Sequence, residues 1–228
     1  MARIRGIILL IQFSITVAIT VVLMYAFKNH THKIIKTWMS FQMFVLGIKL
    51  EVEGKLDESC DMVMMNHQSL LDIIVIEYIH SRDLAWVAKK EIADLFFFGH
   101  IIKAPRMISV DRQNKAGIIH LLKEAKDRLD KKRPIAMFPE GTRSDGKRML
   151  SFKPGAKMLA NKYNLNVQPI VLFNTRNIVD SKKLRATPGV VKVVFLEAIQ
   201  ADRTTDWFEK TEENMRAVFD KESKNYVS

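Results

Sequence analysis

Met62-Val63-Met64-Met65-Asn66-His67-Gln68-Ser69-Leu70-Leu71-Asp72 is the stretch on which the fold turns. Four apolar residues in a row read as a buried strand, and Leu70 to Ile79 then reads as a helix. His67 therefore falls in a strand-to-helix turn, close to the helix N-terminus. Imidazole can take up a proton near neutral pH without a large environmental shift. A carboxylate a few residues on can bond one ring nitrogen, fix the tautomer and leave the other nitrogen free as a base. Five residues is an awkward spacing on one straight helix. It works if His67 precedes the helix and Asp72 lies in its first turn. A plainer pattern fits too: Ser69-Leu70-Leu71-Asp72 matches S-x-x-D, a helix-capping arrangement in which Asp72 bonds only helix-start amides. Most such matches are only caps, so on this stretch alone the capping reading comes first.

A second stretch shifts the balance. Phe138-Pro139-Glu140-Gly141-Thr142-Arg143-Ser144 follows the strand-like Ile135-Ala136-Met137. It again places polar residues just past an apolar strand, where open α/β sheets carry their ligand sites. Gly141 permits close backbone approach, and Arg143 offers a planar fork suited to phosphate oxygens. The glycine-lysine-serine arrangement of a nucleotide-binding P-loop is missing. Taken singly, the segment also reads as a loop with a salt-bridged arginine.

The rest of the chain alternates in the same way. Ile48 to Gly54 has period two and ends in glycine, as a half-exposed strand does. Leu84 to Ala88 is a strand, and Lys89-Lys90-Glu91-Ile92 opens a helix running towards Ile102. Met107 to Arg112 reads as a strand ending in an acid-base pair. Lys115 to Lys131 has the periodicity of an amphipathic helix. Phe152-Lys153-Pro154-Gly155 starts a helix to about Lys162, with proline in its first turn. Val167 to Phe173 and Val190 to Leu196 are strands, and Thr204 to Lys224 is a helix with Trp207 and Phe208 on its apolar side. Pro169 is a poor residue for a central strand and predicts an edge, a bulge or a strand start. These elements give an α/β domain with a mixed, mostly parallel sheet flanked by helices.

With 228 residues and 48% hydrophobic content, the chain can form one full core plus an appendage. The appendage is N-terminal. Gly6 to Phe27 is apolar apart from Gln12, Ser14, Thr16 and Thr20, long enough to cross a bilayer, and followed by a poor cleavage site at Tyr25-Ala26-Phe27-Lys28. Trp38 to Ile48 is a second apolar segment, too short to span comfortably. Arg3 and Arg5 precede the first helix, and Lys28 to Lys36 is basic, so flanking charge does not set an orientation. A helical pair dipping into one leaflet accommodates both sets of charges, and a single span is the alternative. We divide the chain into membrane-associated helices over 1–47 and a catalytic domain over 48–228.

The formal charge of +11 points to an anionic partner. No helix-turn-helix, zinc-finger or RRM signature accompanies it, so membrane surface or phosphorylated substrate is expected rather than nucleic acid. Cys60, the lone cysteine, rules out an intramolecular disulfide and lies at a strand start with no activating pattern. The three phenylalanines Phe96 to Phe98 are read first as core packing, with an acyl groove or lipid insertion as alternatives.

Together, the histidine and arginine stretches resemble the glycerolipid acyltransferases. NHQSLLD matches that family's Asn-His-x-Ser-x-x-Asp block and FPEGTRS its Phe-Pro-Glu-Gly-Thr-Arg-Ser block, in the family's order, within a likeness from about Trp38 to Glu197. The resemblance implies acyl transfer from acyl-ACP or acyl-CoA to the free hydroxyl of lysophosphatidic acid, with no cofactor beyond that co-substrate and no metal. It implies His67 as base with Asp72 behind it; backbone amides near Gly141 are candidate oxyanion donors, among which the sequence does not choose. Arg143, with Gly141, Thr142, Lys89 and Arg112, would hold the phosphate, and Glu140 would orient the glycerol; Lys90 is the fallback for Lys89. One departure stands out: the family usually has proline where Phe96 stands, three residues before Gly99. The resemblance also implies a bacterial inner-membrane enzyme with its catalytic domain on the cytoplasmic side. Other lysolipids or glycerol-3-phosphate are alternative acceptors, and a non-catalytic, basic membrane-anchored protein is the alternative class.

Overall fold

The buried run at 62–65 becomes the second strand of a mixed sheet in the computed structural model, which describes residues 2–111 and 114–226. In chain order come helices α1 (Ala2–Ala26) and α2 (Thr31–Leu46), strands β1 (Ile48–Glu53) and β2 (Met62–Met65), helix α3 (Leu71–Ile79) and strand β3 (Ala85–Lys89). Short helices α4 (Lys90–Ala93) and α5 (His100–Lys103) lead to β4 (Ile108–Val110), α6 (Lys115–Asp130), β5 (Ile135–Met137), α7 (Pro154–Tyr163) and β6 (Asn166–Phe173). Then follow α8 (Thr175–Ile178), β7 (Val179–Asp180), β8 (Arg185–Ala186), β9 (Gly189–Phe195), β10 (Ile199–Gln200) and α9 (Trp207–Glu222).

The sheet order is β1-β9-β6-β2-β5-β3-β4, with β10 also on β6. From β6 to β4 every pairing is parallel, so five strands end at one edge. Strand β9 runs antiparallel to β6 and parallel to the outer strand β1. Strand β2 shows why its sequence is apolar throughout rather than alternating. Val63 and Met65 face a cluster built with α1, α2 and α3, while Met62 and Met64 face one built with α6, α7 and α9. Each fully buried side chain there contributes roughly 1.5–3 kcal/mol. The first cluster also holds Val17, Val21 and Met24 of α1 and Ile35, Trp38 and Met43 of α2. The N-terminal pair thus shares its core with the sheet.

Pro169 sits inside β6, not at its edge or start. Its partner strand is interrupted beside it: β9 pairs with β6 from Ile170 onward, β10 pairs at Val167, and Leu196 N donates to Pro169 O across the gap. An extended residue points its N–H and C=O the same way in an antiparallel pair. The missing proline N–H therefore falls in the gap between β9 and β10, where Leu196 O instead accepts from Gln168 Nε2 at 3.1 Å.

The expected continuous helix from Lys89 to Ile102 is instead two short helices, α4 and α5, separated by a turn through Leu95–Phe98. Gly99 lets the backbone fold back there; a Cβ on it would lie 2.1 Å from Ala93 O.

Helix α1 is long and apolar enough to cross a membrane by length and composition. Yet both its ends touch the domain. Gly6 packs so closely on the β7–β8 hairpin that a Cβ would come 2.1 Å from Leu184 O, and Tyr25 Oη lies 2.7 Å from His100 Nδ1. Both contact points follow C-terminal ends of parallel strands, so α1, about 37 Å long, lies along that edge of the sheet. Ile4, Ile8, Ile11, Ile15, Ile19 and Val22 remain exposed on its outer face.

Candidate functional site

Three strand ends build the site. Strand β2 delivers Asn66 to Ser69, its neighbour β5 delivers Phe138 to Ser144, and β6 on the other side delivers Asn174 to Arg176. Asn66 extends the β2–β6 pairing one step beyond the strand. Its side chain donates to Leu172 O at 2.9 Å and accepts from Leu172 N at 2.7 Å.

His67 Nδ1 lies 2.7 Å from Asp72 Oδ2. A carboxylate accepts, so Nδ1 carries the proton and Nε2 keeps its lone pair. The same Oδ2 accepts from Gln68 N at 2.6 Å and Ser69 N at 2.8 Å, and Thr175 Oγ1 donates to Oδ1. Asp72 is fully buried. The capping and tautomer-fixing readings of Asp72 are therefore not exclusive: one oxygen does both, because His67 precedes α3 and Asp72 occupies its first turn. The imidazole stacks on Phe138, with ring centroids 3.7 Å apart and planes at 14°, and Trp86 backs Phe138 at 5.4 Å. The ring is held on one side by a charge and on one face by an aromatic.

The FPEGTRS segment is tied to the histidine turn through its backbone. Ser144 N donates to His67 O at 2.8 Å. Glu140 Oε1 accepts from His67 N at 2.6 Å and Oε2 from Leu150 N at 2.7 Å. Glu140 is buried, and burial pushes its carboxyl up to about 7 against those two hydrogen bonds. With both oxygens engaged, it clamps two loops together beneath the surface. Gly141 has φ +72°, the left-handed region, and its N–H donates to Phe138 O at 3.1 Å, closing the turn. Thr142 is exposed beyond it.

Arg143 is half-buried beside the histidine turn, with Nη1 3.3 Å from Ser181 Oγ on the β7–β8 hairpin. Burial lowers its pKa, Asp72 opposes the shift and Arg176 adds to it. Guanidinium remains charged at neutral pH regardless. Lys89 ends β3 on the same edge, paired with Glu91 at 2.8 Å and half-exposed. Two strand spacings separate it from β2, about 10 Å. Lys90 is exposed at the start of α4. Arg112 lies outside the described residues; the strand before it, β4, is the third from β2.

Thr175 and Arg176 join the site from outside the two motifs. Arg176 pairs with Asp180 at 3.1 Å and packs its Cβ where Gly146 leaves room. Their signal was present: Asn174-Thr175-Arg176 is a third polar run directly after an apolar strand. Cys60 is buried, with its thiol pushed up to about 12 mainly by burial, as befits a core residue.

Comparison with known proteins gives this geometry its relatives. An acyltransferase family model matches residues 50–173. The chain is 38% identical over 210 residues to a 1-acyl-sn-glycerol-3-phosphate acyltransferase of Helicobacter pylori, covering 90% of this chain and 89% of that one. It is 32% identical to the protein of that name from Cocos nucifera, over 74% of this chain and 54% of the relative. The crystal structure of the 1-acyl-sn-glycerophosphate acyltransferase PlsC from Thermotoga maritima superposes with a TM-score of 0.72, covering 98% of this chain and 94% of that one at 23% identity, a likeness of fold.

Proposed function

The chain belongs to the 1-acyl-sn-glycerol-3-phosphate acyltransferase family, and from that premise we propose that it acylates the 2-hydroxyl of 1-acyl-sn-glycerol-3-phosphate, using His67 as general base. The observation that carries this is the 2.7 Å His67–Asp72 pair on the strand-end edge, next to the loop that holds Arg143. Asp72 orients the imidazole and stabilises its cation, as in other histidine-carboxylate pairs. His67 Nε2 takes the hydroxyl proton while the oxygen attacks the thioester carbonyl. The new C–O bond forms, the C–S bond breaks, and the proton passes from His67 to the departing thiolate of CoA or acyl carrier protein. A thioester is already activated, so direct transfer needs no serine or cysteine nucleophile. Arg143 is the first candidate for the acceptor phosphate, with Lys89 further along the edge and Arg112 beyond it.

The membrane reading belongs to the same proposal. A helix touching its domain at both ends does not leave it to cross a bilayer, so we assign α1 to the interface, outer face in the acyl region and the basic Arg3, Arg5 and Lys28 at headgroup level. For a bacterial enzyme using cytoplasmic thioesters, that leaflet is the inner face of the inner membrane.

The deciding experiment assays purified full chain with labelled acyl-CoA and acyl-ACP against a panel of lysolipids and glycerol-3-phosphate. His67→Ala should lower kcat by about a hundredfold or more with the fold retained. Near-native turnover by that variant would remove the base assignment. Preference for an acceptor other than 1-acyl-glycerol-3-phosphate would replace the substrate while leaving the chemistry.

A further inference from the structure

Leu95-Phe96-Phe97-Phe98 forms the turn between α4 and α5, and its side chains face outward: Phe96 is 96% exposed and Phe97 and Phe98 about two-fifths. The core-packing expectation for these phenylalanines therefore does not hold. Nor is the turn loose. Leu95 N donates to Ile92 O, Gly99 N to Leu95 O, His100 N to Phe97 O and Ile101 N to Phe98 O. An ordered backbone that holds adjacent large apolar side chains in water is unfavourable unless another apolar phase covers them.

The surroundings identify that phase. His100, two residues after Phe98, meets Tyr25 at the end of α1 at 2.7 Å, which brings the turn close to the helix that exposes Ile15, Ile19 and Val22. Lys90, Lys103 and Arg106 are exposed around the turn. The carboxylates among them are Asp94 and Glu91, and Glu91 is already held by Lys89. An apolar tip ringed by cations fits an anionic bilayer surface.

We propose that the Leu95–Phe98 turn is a second membrane-inserting element, sinking its phenylalanines into the acyl region of the leaflet that receives α1, with Lys90, Lys103 and Arg106 on anionic headgroups. The inference rests on the interfacial reading of α1. Its consequence is positional. The turn lies a few residues beyond Lys89, so inserting it holds the strand-end edge at headgroup level, where a lysolipid presents its phosphate.

The test uses full chain and vesicles of phosphatidylglycerol and phosphatidylethanolamine. Trp38, Trp86 and Trp207 are all buried and give a constant background, so Phe96→Trp adds one reporter. Emission from the introduced indole should be quenched by lipids brominated in the acyl chain. Phe96→Asp should weaken vesicle binding roughly tenfold to a hundredfold while activity on acceptor dispersed in detergent stays native. Because Phe96 touches water, a folding defect is not expected, and circular dichroism checks it. If the Phe96→Trp chain binds vesicles but the emission of its added indole ignores the bromines, this inference fails and the α1 reading stands. If the native chain itself binds no vesicles, the membrane reading fails and takes this inference with it. Dissociation of a lipid-free dimer by Phe96→Asp would assign the patch to a second copy and overturn the proposal.

Discussion

Thr175 is the residue whose role the tertiary structure alone discloses. It is wholly buried and gives its hydroxyl to the Asp72 oxygen that His67 does not use. Removing one partner of a buried hydrogen bond costs about 1–3 kcal/mol, and here the cost falls on the orientation of the histidine's carboxylate. Thr175→Val keeps the shape and removes the donor. We expect kcat to fall about tenfold with KM nearly unchanged, and Thr175→Ser to restore most of it. Steady-state kinetics of the two variants checks this; equal loss in both would point to packing. His67 and Asp72 are five apart and legible as a pair, whereas Thr175 lies 103 residues beyond Asp72, and no local pattern connects it to either.

At the scale of elements, the contact between α1 and the β7–β8 hairpin is set by one small residue. Gly6 lies against the Leu184 carbonyl with no room for a Cβ, and Arg5 Nη2 donates to Leu46 O at 3.0 Å close by, at the end of α2. Gly6→Val should lever the start of α1 off the domain. The sheet, covered by α2 and α3 on that face, should survive with little change in circular dichroism. Proteolysis near residue 6 should accelerate, and the shift in hairpin position should disturb Ser181, which meets Arg143, so activity should drop severalfold. A native protease pattern would show that the helix can accommodate the branch elsewhere. The sequence presented α1 as an apolar segment compatible with a span or an interfacial helix. Its length and composition are the same in both cases, and the contacts at its two ends are what support the interfacial proposal.

For the whole molecule, the pH dependence of stability turns on a buried carboxyl that is not one of the reacting pair. Glu77, on α3 beside Trp86, is almost fully buried with Oε2 unpartnered, and burial pushes it up to about 8. The unfolded carboxyl titrates near its ordinary value of 4.5. The folded chain thus binds the extra proton between those values, and stability is highest below about 4.5 on this account and declines as pH rises through 8. Glu140, pushed up to about 7, contributes with the same sign. Glu77→Gln removes the titration and should raise the melting temperature at pH 8 while flattening its fall between pH 5 and 8. Thermal melts across that range decide it, and an unaltered slope would return the pH dependence to other groups.

The βα turn with its histidine and aspartate, the second polar loop, the mixed, mostly parallel sheet and the apolar N-terminus are all legible in the chain of residues. Those features are local: strand and helix periodicity, turn residues and short motifs are written within a dozen neighbouring positions. Packing between distant parts of the chain set the rest. It put Glu140 between two loops, placed Thr175 behind Asp72, fitted Pro169 to a gap in its neighbour, broke one expected helix into two and laid α1 along the strand-end edge. Each of these depends on which distant backbone groups remain unpaired and which surfaces remain uncovered once the sheet has formed, a matter of long-range packing that no short window of sequence contains.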